Sequence, residues 1–172
     1  MLIYLIGLPG SGKSTLGRIL AHKLNFSYFD MDEEICSKEK KSIEDIFSIK
    51  GENYFRELEH AILQKTFKLK NTIVSTGGGA PCFFDNMDQM KTYGLTLYIK
   101  PSIDELTNRL LGQGRENRPL LKGKNTKQLK DFLEARLKER SPYYDQAKIV
   151  FSKDTLSPED IYDKLKIEKI IS

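Results

Sequence analysis

The sequence predicts an α/β protein of three layers, with a five-stranded parallel sheet between two layers of helices. Three observations carry this reading. Short, mostly apolar runs of strand length recur at 2–6, 26–29, 72–76, 95–99 and 148–152. The intervals between them hold helix-period segments, and that alternation makes a parallel sheet wrapped by helices. At the start, an apolar run, a glycine-rich loop and a helix-like stretch from Lys13 to about Leu24 follow one another directly. The runs are apolar throughout rather than alternating, as expected of strands covered on both faces.

The elements can be justified in order. Leu2-Ile3-Tyr4-Leu5-Ile6 is the first strand, and Phe26-Ser27-Tyr28-Phe29 the second. Residues 33–70 form a helical insertion before the third strand. Ser42 through Asp45 is a start signal, Gly51 ends that helix, and another begins near Glu52. Ser102-Ile103-Asp104-Glu105 reads as a capping box ahead of Leu106 and Leu110. Ser157-Pro158-Glu159-Asp160 combines a cap, a proline at the first helical position and acid in the first turn. Residues 112–124 hold three glycines, four basic residues and one proline, the composition of a mobile basic lid. The expected organisation is one domain over 1–172, with a core of 1–32, 71–111 and 125–172, a substrate-binding insertion at 33–70 and a lid at about 112–124.

Residues 7–14, Gly7-Leu8-Pro9-Gly10-Ser11-Gly12-Lys13-Ser14, are a complete G-x-x-x-x-G-K-[ST] loop in its proper strand–loop–helix context, which makes the predicted architecture a P-loop NTPase fold. The glycines let backbone N–H groups turn onto phosphate oxygens, and the helix N-terminus adds partial positive charge. Gly10, Ser11, Gly12, Lys13, Ser14 and Thr15 are the expected nucleotide contacts. Lys13 reaches the β- and γ-phosphates, and the Ser14 hydroxyl ligates Mg²⁺ accompanying ATP.

Asp30-Met31-Asp32 follows the second strand. Strand residues two apart share a face, so both carboxylates are expected to project together from the strand's C-terminal end, one for a metal and one for an acceptor hydroxyl. Thr76-Gly77-Gly78-Gly79-Ala80-Pro81 leaves bare backbone that a ligand can approach. Arg56 and Glu59, at i and i+3, read from spacing alone as a surface ion pair.

Net charge of +4 suits anionic ligands and does not argue for nucleic acid. Arg109, Arg115, Arg118, Arg136 and Arg140 lie close together in sequence, and arginine is the better bidentate partner for carboxylate and phosphate. Two cysteines, Cys36 and Cys82, make no disulfide framework and have no metal-ligand spacing, so both read as packed, reduced thiols of a cytoplasmic protein. The apolar start lacks a basic n-region and runs straight into the loop, unlike a signal peptide. No stretch is long enough to span a membrane.

Taken together, the chain resembles the shikimate kinase family. The resemblance runs in order through G-L-P-G-S-G-K-S-T-L-G-R at 7–18, D-M-D at 30–32, S-I-E-D-I-F at 42–47, G-E-N-Y-F-R-E-L-E at 51–59, T-G-G-G-A at 76–80, R-P-L-L at 118–121 and R-S-P-Y-Y at 140–144. It implies ATP-dependent phosphorylation of the 3-hydroxyl of shikimate, a step of aromatic amino acid biosynthesis, by a cytoplasmic monomer with Mg²⁺ and without nucleic acid or membrane. It implies that Asp30 serves the metal and Asp32 grips the acceptor hydroxyl. Arg56 and Arg140 clamp the shikimate carboxylate, Glu59 orients Arg56, and Gly77, Gly78 and Gly79 wall the ring. Arg118 becomes the lid arginine that reaches the transferring phosphoryl group, making Lys13, Asp32 and Arg118 the catalytic set. Ser157 and Pro158 fall on the adenine-contacting loop, and Arg109 is offered for the other face of the adenine. Arg136 is read as structural or surface. The nearest rivals are a gluconate kinase or a nucleotide kinase of the same fold, which share the loop and lid but do not combine D-x-D, F-R-x-x-E and the triple glycine. A regulatory GTPase needs D-x-x-G and N-K-x-D, and neither is present.

Overall fold

The structure is a computed structural model that describes residues 1–112 and 125–171. Its centre is one sheet of five strands: β1 (Leu2–Ile6), β2 (Ser27–Asp30), β3 (Thr72–Ser75), β4 (Leu95–Ile99) and β5 (Ile149–Phe151). The spatial order is β2-β3-β1-β4-β5, and every neighbouring pair is parallel. The chain first builds outward on one side of β1, then crosses to the other. A crevice beyond the strands' C-terminal ends, at such a reversal, is the ligand-binding position of open α/β sheets.

Alternation along β1 separates the two helical layers. Ile3 and Leu5 join a core with α1 (Lys13–Leu24) and α7 (Pro158–Ile167), through Leu16, Leu20, Ile161 and Leu165. Leu2, Tyr4 and Ile6 face the opposite core. That core is built by α2 (Met31–Glu39), α3 (Ile43–Thr66), α4 (Asn86–Tyr93), α5 (Ile103–Gly112) and α6 (Thr126–Tyr144). The three-layer architecture and the five parallel strands are those the sequence predicts.

Details differ. The two outer strands are not covered on both faces: Ser27 is exposed in β2, and Val150 is 41% exposed in β5. The second strand runs to Asp30, where the side chain caps α2 by accepting from the Asp32 and Glu33 N–H groups at 3.0 and 3.4 Å. The insertion's first helix therefore starts at Met31, two residues before the expected 33. Gly51 does interrupt α3, with φ 80° and ψ 171°. The Ser102 box is only half formed. Its hydroxyl accepts from Glu105 N–H at 3.1 Å, but Asp154 takes the Ser102 N–H and the Glu105 carboxylate turns to Arg109. The sequence reading singles out neither α4 nor α6. Asp85 at the N-cap of α4 makes no side-chain cap, so there is no start signal to find. Among the described residues no helix is long and apolar enough to cross a membrane. Of the predicted lid, Gly112 closes α5 and 113–124 lie outside the described residues.

Candidate active site

The loop after β1 is shaped by backbone. Gly10 and Gly12 hold φ at 84° and 94°, a region that L side chains rarely adopt. Gly12 is the N-cap of α1 and supplies no side chain to its first-turn N–H groups, the uncapped helix start that an anion site uses. Lys13 is buried, with Nζ 2.9 Å from the Gly7 carbonyl and 3.0 Å from that of Leu8. Its ammonium thus sits inside the loop's own curve. Ser11 is fully buried beneath it.

Ser14 donates from Oγ to Asp30 Oδ2 at 2.9 Å, and Tyr28 donates its hydroxyl to the same oxygen at 2.8 Å. Asp30 Oδ1 is held by the cap of α2. Ser14 and Asp30 therefore meet as two hard oxygen donors beside the phosphate cradle. That set fits Mg²⁺, which takes one or two protein oxygens and completes its shell from phosphates and water. Among the described residues no group of three or more His, Cys, Asp or Glu could hold a metal by itself.

Asp32 does not sit on the strand. It occupies the first turn of α2, because the Asp30 carboxylate takes its N–H and starts the helix there. It is exposed to solvent yet closely surrounded by protein, as a group on the floor of an open cleft is. That surrounding protein and the Asp30 charge push its pKa up, while Lys13 and Arg56 oppose the shift.

The triple glycine gathers the remaining residues. A methyl group on Gly77 would lie 2.4 Å from Glu59 Oε1 and 2.9 Å from Asp32 Oδ1. One on Gly78 would lie 2.8 Å from Pro9 Cδ and 3.1 Å from Arg140 Nη1, and one on Gly79 only 2.5 Å from Arg56 Nη1. The space that glycine leaves at each position is thus filled by the site's own side chains, where the sequence reading expects bare backbone for a ligand. Arg140 is buried, and Tyr144, one turn later on α6, donates its hydroxyl to the Gly78 carbonyl and hydrogen-bonds Arg140.

The Arg56–Glu59 pair is not on the surface. Nη1 donates to Glu59 Oε2 at 2.8 Å, Nη2 to Glu52 Oε1 at 3.0 Å, and Phe83 lies under the guanidinium at 4.1 Å. Glu59 is 1% exposed, and its Oε1 has no hydrogen-bond partner among the described residues. Burial raises its pKa to about 7 against the pull of Arg56. Glu52 could have been read from its i, i+4 spacing to Arg56. Phe83, Tyr28 and Tyr144 carry no such local signal.

On the far side of the loop, Arg109 is pinned between two segments. Nη1 donates to the Ser11 carbonyl at 3.3 Å, Nη2 to the Asp154 carbonyl, and Nε to Glu105 at 2.6 Å. This brings the β5–α7 connection against the phosphate loop. Ser157 is spent on capping α7, in a reciprocal box with Asp160, and Pro158 takes the first helical position. Arg136 makes an exposed pair with Glu139. Arg118 and Arg115 lie outside the described residues. Cys36 and Cys82 are unpaired, and burial pushes the Cys82 thiol up to about 11, out of the reactive range. A groove of about 490 Å³ lies elsewhere, between the end of α3 and α4, and none of the predicted site residues lines it.

A family model described as Shikimate kinase matches residues 9–169. The chain belongs to the shikimate kinase family. The shikimate kinase of Azobacteroides pseudotrichonymphae genomovar. CFP2 is 45% identical over 95% of this chain and 96% of its own. A solved shikimate kinase from Bacteroides thetaiotaomicron matches with a TM-score of 0.93 and 37% identity over 99% of both chains. One from Acinetobacter baumannii in complex with shikimate matches at 0.87 and 31%, covering 98% of this chain and 92% of its own. A gluconokinase from Sinorhizobium meliloti, at 0.58 and 15% identity, shares the fold alone.

Proposed function

We propose that the chain transfers the γ-phosphoryl group of ATP to the 3-hydroxyl of shikimate, giving 3-phosphoshikimate and ADP. Membership of the shikimate kinase family supports the reaction. One observation supports the residue roles: an acid, a buried carboxylate and two arginines converge on Gly77–Gly79, and that turn abuts the phosphate loop at Pro9. Shikimate is a small anion with several hydroxyls. In this reading Arg56 and Arg140 hold its carboxylate by charge-assisted hydrogen bonds, Glu59 and Glu52 aim Arg56, and Asp32 accepts the reacting hydroxyl.

Fixing the carboxylate at one end and a hydroxyl at the other decides which oxygen faces the phosphate. Phosphoryl transfer needs positioning and charge stabilisation rather than a covalent enzyme intermediate. The raised pKa of Asp32 suits a group that takes a proton as transfer proceeds. Lys13 and the N–H groups of α1 receive charge on the phosphates. Ser14 and Asp30 would hold Mg²⁺, which when bound neutralises phosphate charge. Arg118 reaches the transferring group from the lid, and Ser157, Pro158 and Arg109 flank the adenine. The reading extends to a cytoplasmic monomer acting on free small molecules; the two unpaired cysteines suit a reducing compartment.

The test is ADP release with shikimate, gluconate and AMP offered in turn. Shikimate should accelerate it and the others should not. Acceleration by gluconate instead would move the assignment to another hydroxy acid.

A further inference from the structure

Arg56, His60 and Gln64 lie at i, i+4 and i+8 on α3 and therefore form one stripe. The segment after the triple glycine runs beside that stripe. Phe83 lies under Arg56, the Phe84 ring is 4.8 Å from that of His60, and Asn86 is fully buried against His60. Asn86 Nδ2 donates to the Ala80 carbonyl at 2.8 Å, and Asn86 Oδ1 is 2.5 Å from His60 Nδ1. A carbonyl can only accept, so the amide nitrogen must face Ala80 and the amide oxygen must face His60. His60 Nδ1 therefore carries the hydrogen, and its Nε2, 3.0 Å from Gln64 Nε2, is left to accept.

The Ala80 that Asn86 grips closes the glycine turn, through its own N–H to the Gly77 carbonyl at 3.1 Å. His60 is one turn beyond Arg56 on the same helix. The chain of hydrogen bonds thus ties the helix that carries Arg56 to the turn against which Arg56 packs at Gly79.

We propose that His60 and Asn86 are positioning residues for the acceptor: they set the separation between α3 and the glycine turn, and so the aim of the Arg56 guanidinium. This rests on the reading of Arg56 as a shikimate carboxylate ligand. Neither residue touches the nucleotide side of the crevice, so their loss falls on acceptor binding.

Two substitutions at one position separate this role from plain packing. His60→Phe keeps a ring against Phe84 and removes the Nδ1 donor. His60→Asn removes the ring and keeps a donor near the Nδ1 position. Steady-state kinetics with ATP and shikimate varied separately, together with melting temperatures, give the readout. His60→Phe should raise the KM for shikimate about tenfold with the KM for ATP within about twofold, since a buried amide oxygen loses its donor. His60→Asn should stay near wild type. The reverse pattern, equal impairment by both, or a parallel rise in both KM values for His60→Phe would overturn the proposal and leave packing as the role. Arg56→Ala is the control. If it raises the shikimate KM while His60→Phe does not, the positioning role alone fails. If Arg56→Ala has no effect, the assignment of Arg56 fails and the positioning role falls with it.

Discussion

Residues 7–14 build a ligand cradle from backbone, whereas the cluster on Gly77–Gly79 builds one from side chains. The first is contiguous and shaped by three glycines at positive φ, Gly7, Gly10 and Gly12. The second draws on α2, α3, α6 and the turn after β3, and its glycines are there so that charged groups can pack close. The two adjoin at Pro9 and Gly78. The backbone cradle depends on the path of the chain and on two side chains alone, Lys13 and Ser14. A side-chain cradle depends on each residue and can be specific.

Substitutions should therefore divide into two sets, and the largest effect belongs to the one charge held inside the phosphate loop. Lys13→Ala should lower turnover by about a thousandfold or more, because the loop loses the point charge it aims at the phosphates. ADP release near the wild-type rate would remove the phosphate assignment. Asp32→Asn should lower kcat by about a hundredfold or more with the KM for ATP little changed, since an amide is a far weaker base. If it weakens Mg·ATP binding instead, the roles of Asp30 and Asp32 are exchanged.

Glu59 sharpens the contrast through pH. Its pKa of about 7 lies above the ordinary carboxyl value, so the fold favours the protonated form. The resulting stability is fully present below about pH 4.5 and is lost as pH rises through about 7, by up to about 3 kcal/mol. Urea midpoints measured from pH 5 to 8 should fall for the wild type relative to Glu59→Gln, which cannot ionise. A difference that does not change with pH would mean that Arg56 keeps Glu59 charged throughout.

Arg56→Ala and Arg140→Ala should each weaken shikimate binding by about 2 kcal/mol, roughly thirtyfold, and lysine should not restore it fully. Calorimetric titration of shikimate measures this; a change confined to ATP would reassign both arginines to the nucleotide. The smallest pair is also the most direct comparison. Gly79→Ala meets no backbone strain but drives a methyl into Arg56, and should raise the KM for shikimate about tenfold. Gly12→Ala meets only ordinary contacts, with Arg109 Nη1 at 3.4 Å and Leu16 Cδ1 at 3.7 Å, but an unfavourable φ, at a cost of about 1–3 kcal/mol, and should act on ATP. If both act on the same substrate, the two cradles are one.

The same difference explains what was legible. Lys13, Ser14 and the fold class follow from a motif and an alternation that are local in sequence. Arg56 packs against Phe83 and Gly79 and Glu59 against Gly77, contacts that no i, i+3 spacing reveals. Nothing in D-x-D tells a strand end from a helix cap, so the spacing alone puts Asp32 on a strand when it lies in the first turn of α2. Which strands lie at the edge depends on the sheet order, which the apolar runs do not encode.

That order has one further consequence. β2 pairs with β3 and β4 with β5, each with its successor in sequence, but β1 skips its successor β2 and lies between β3 and β4. It is the seam that stitches two halves of the sheet, and the phosphate loop is the continuation of the thread. A triphosphate gripped there would fasten the seam, so nucleotide occupancy should be felt as stability throughout the sheet rather than at one loop.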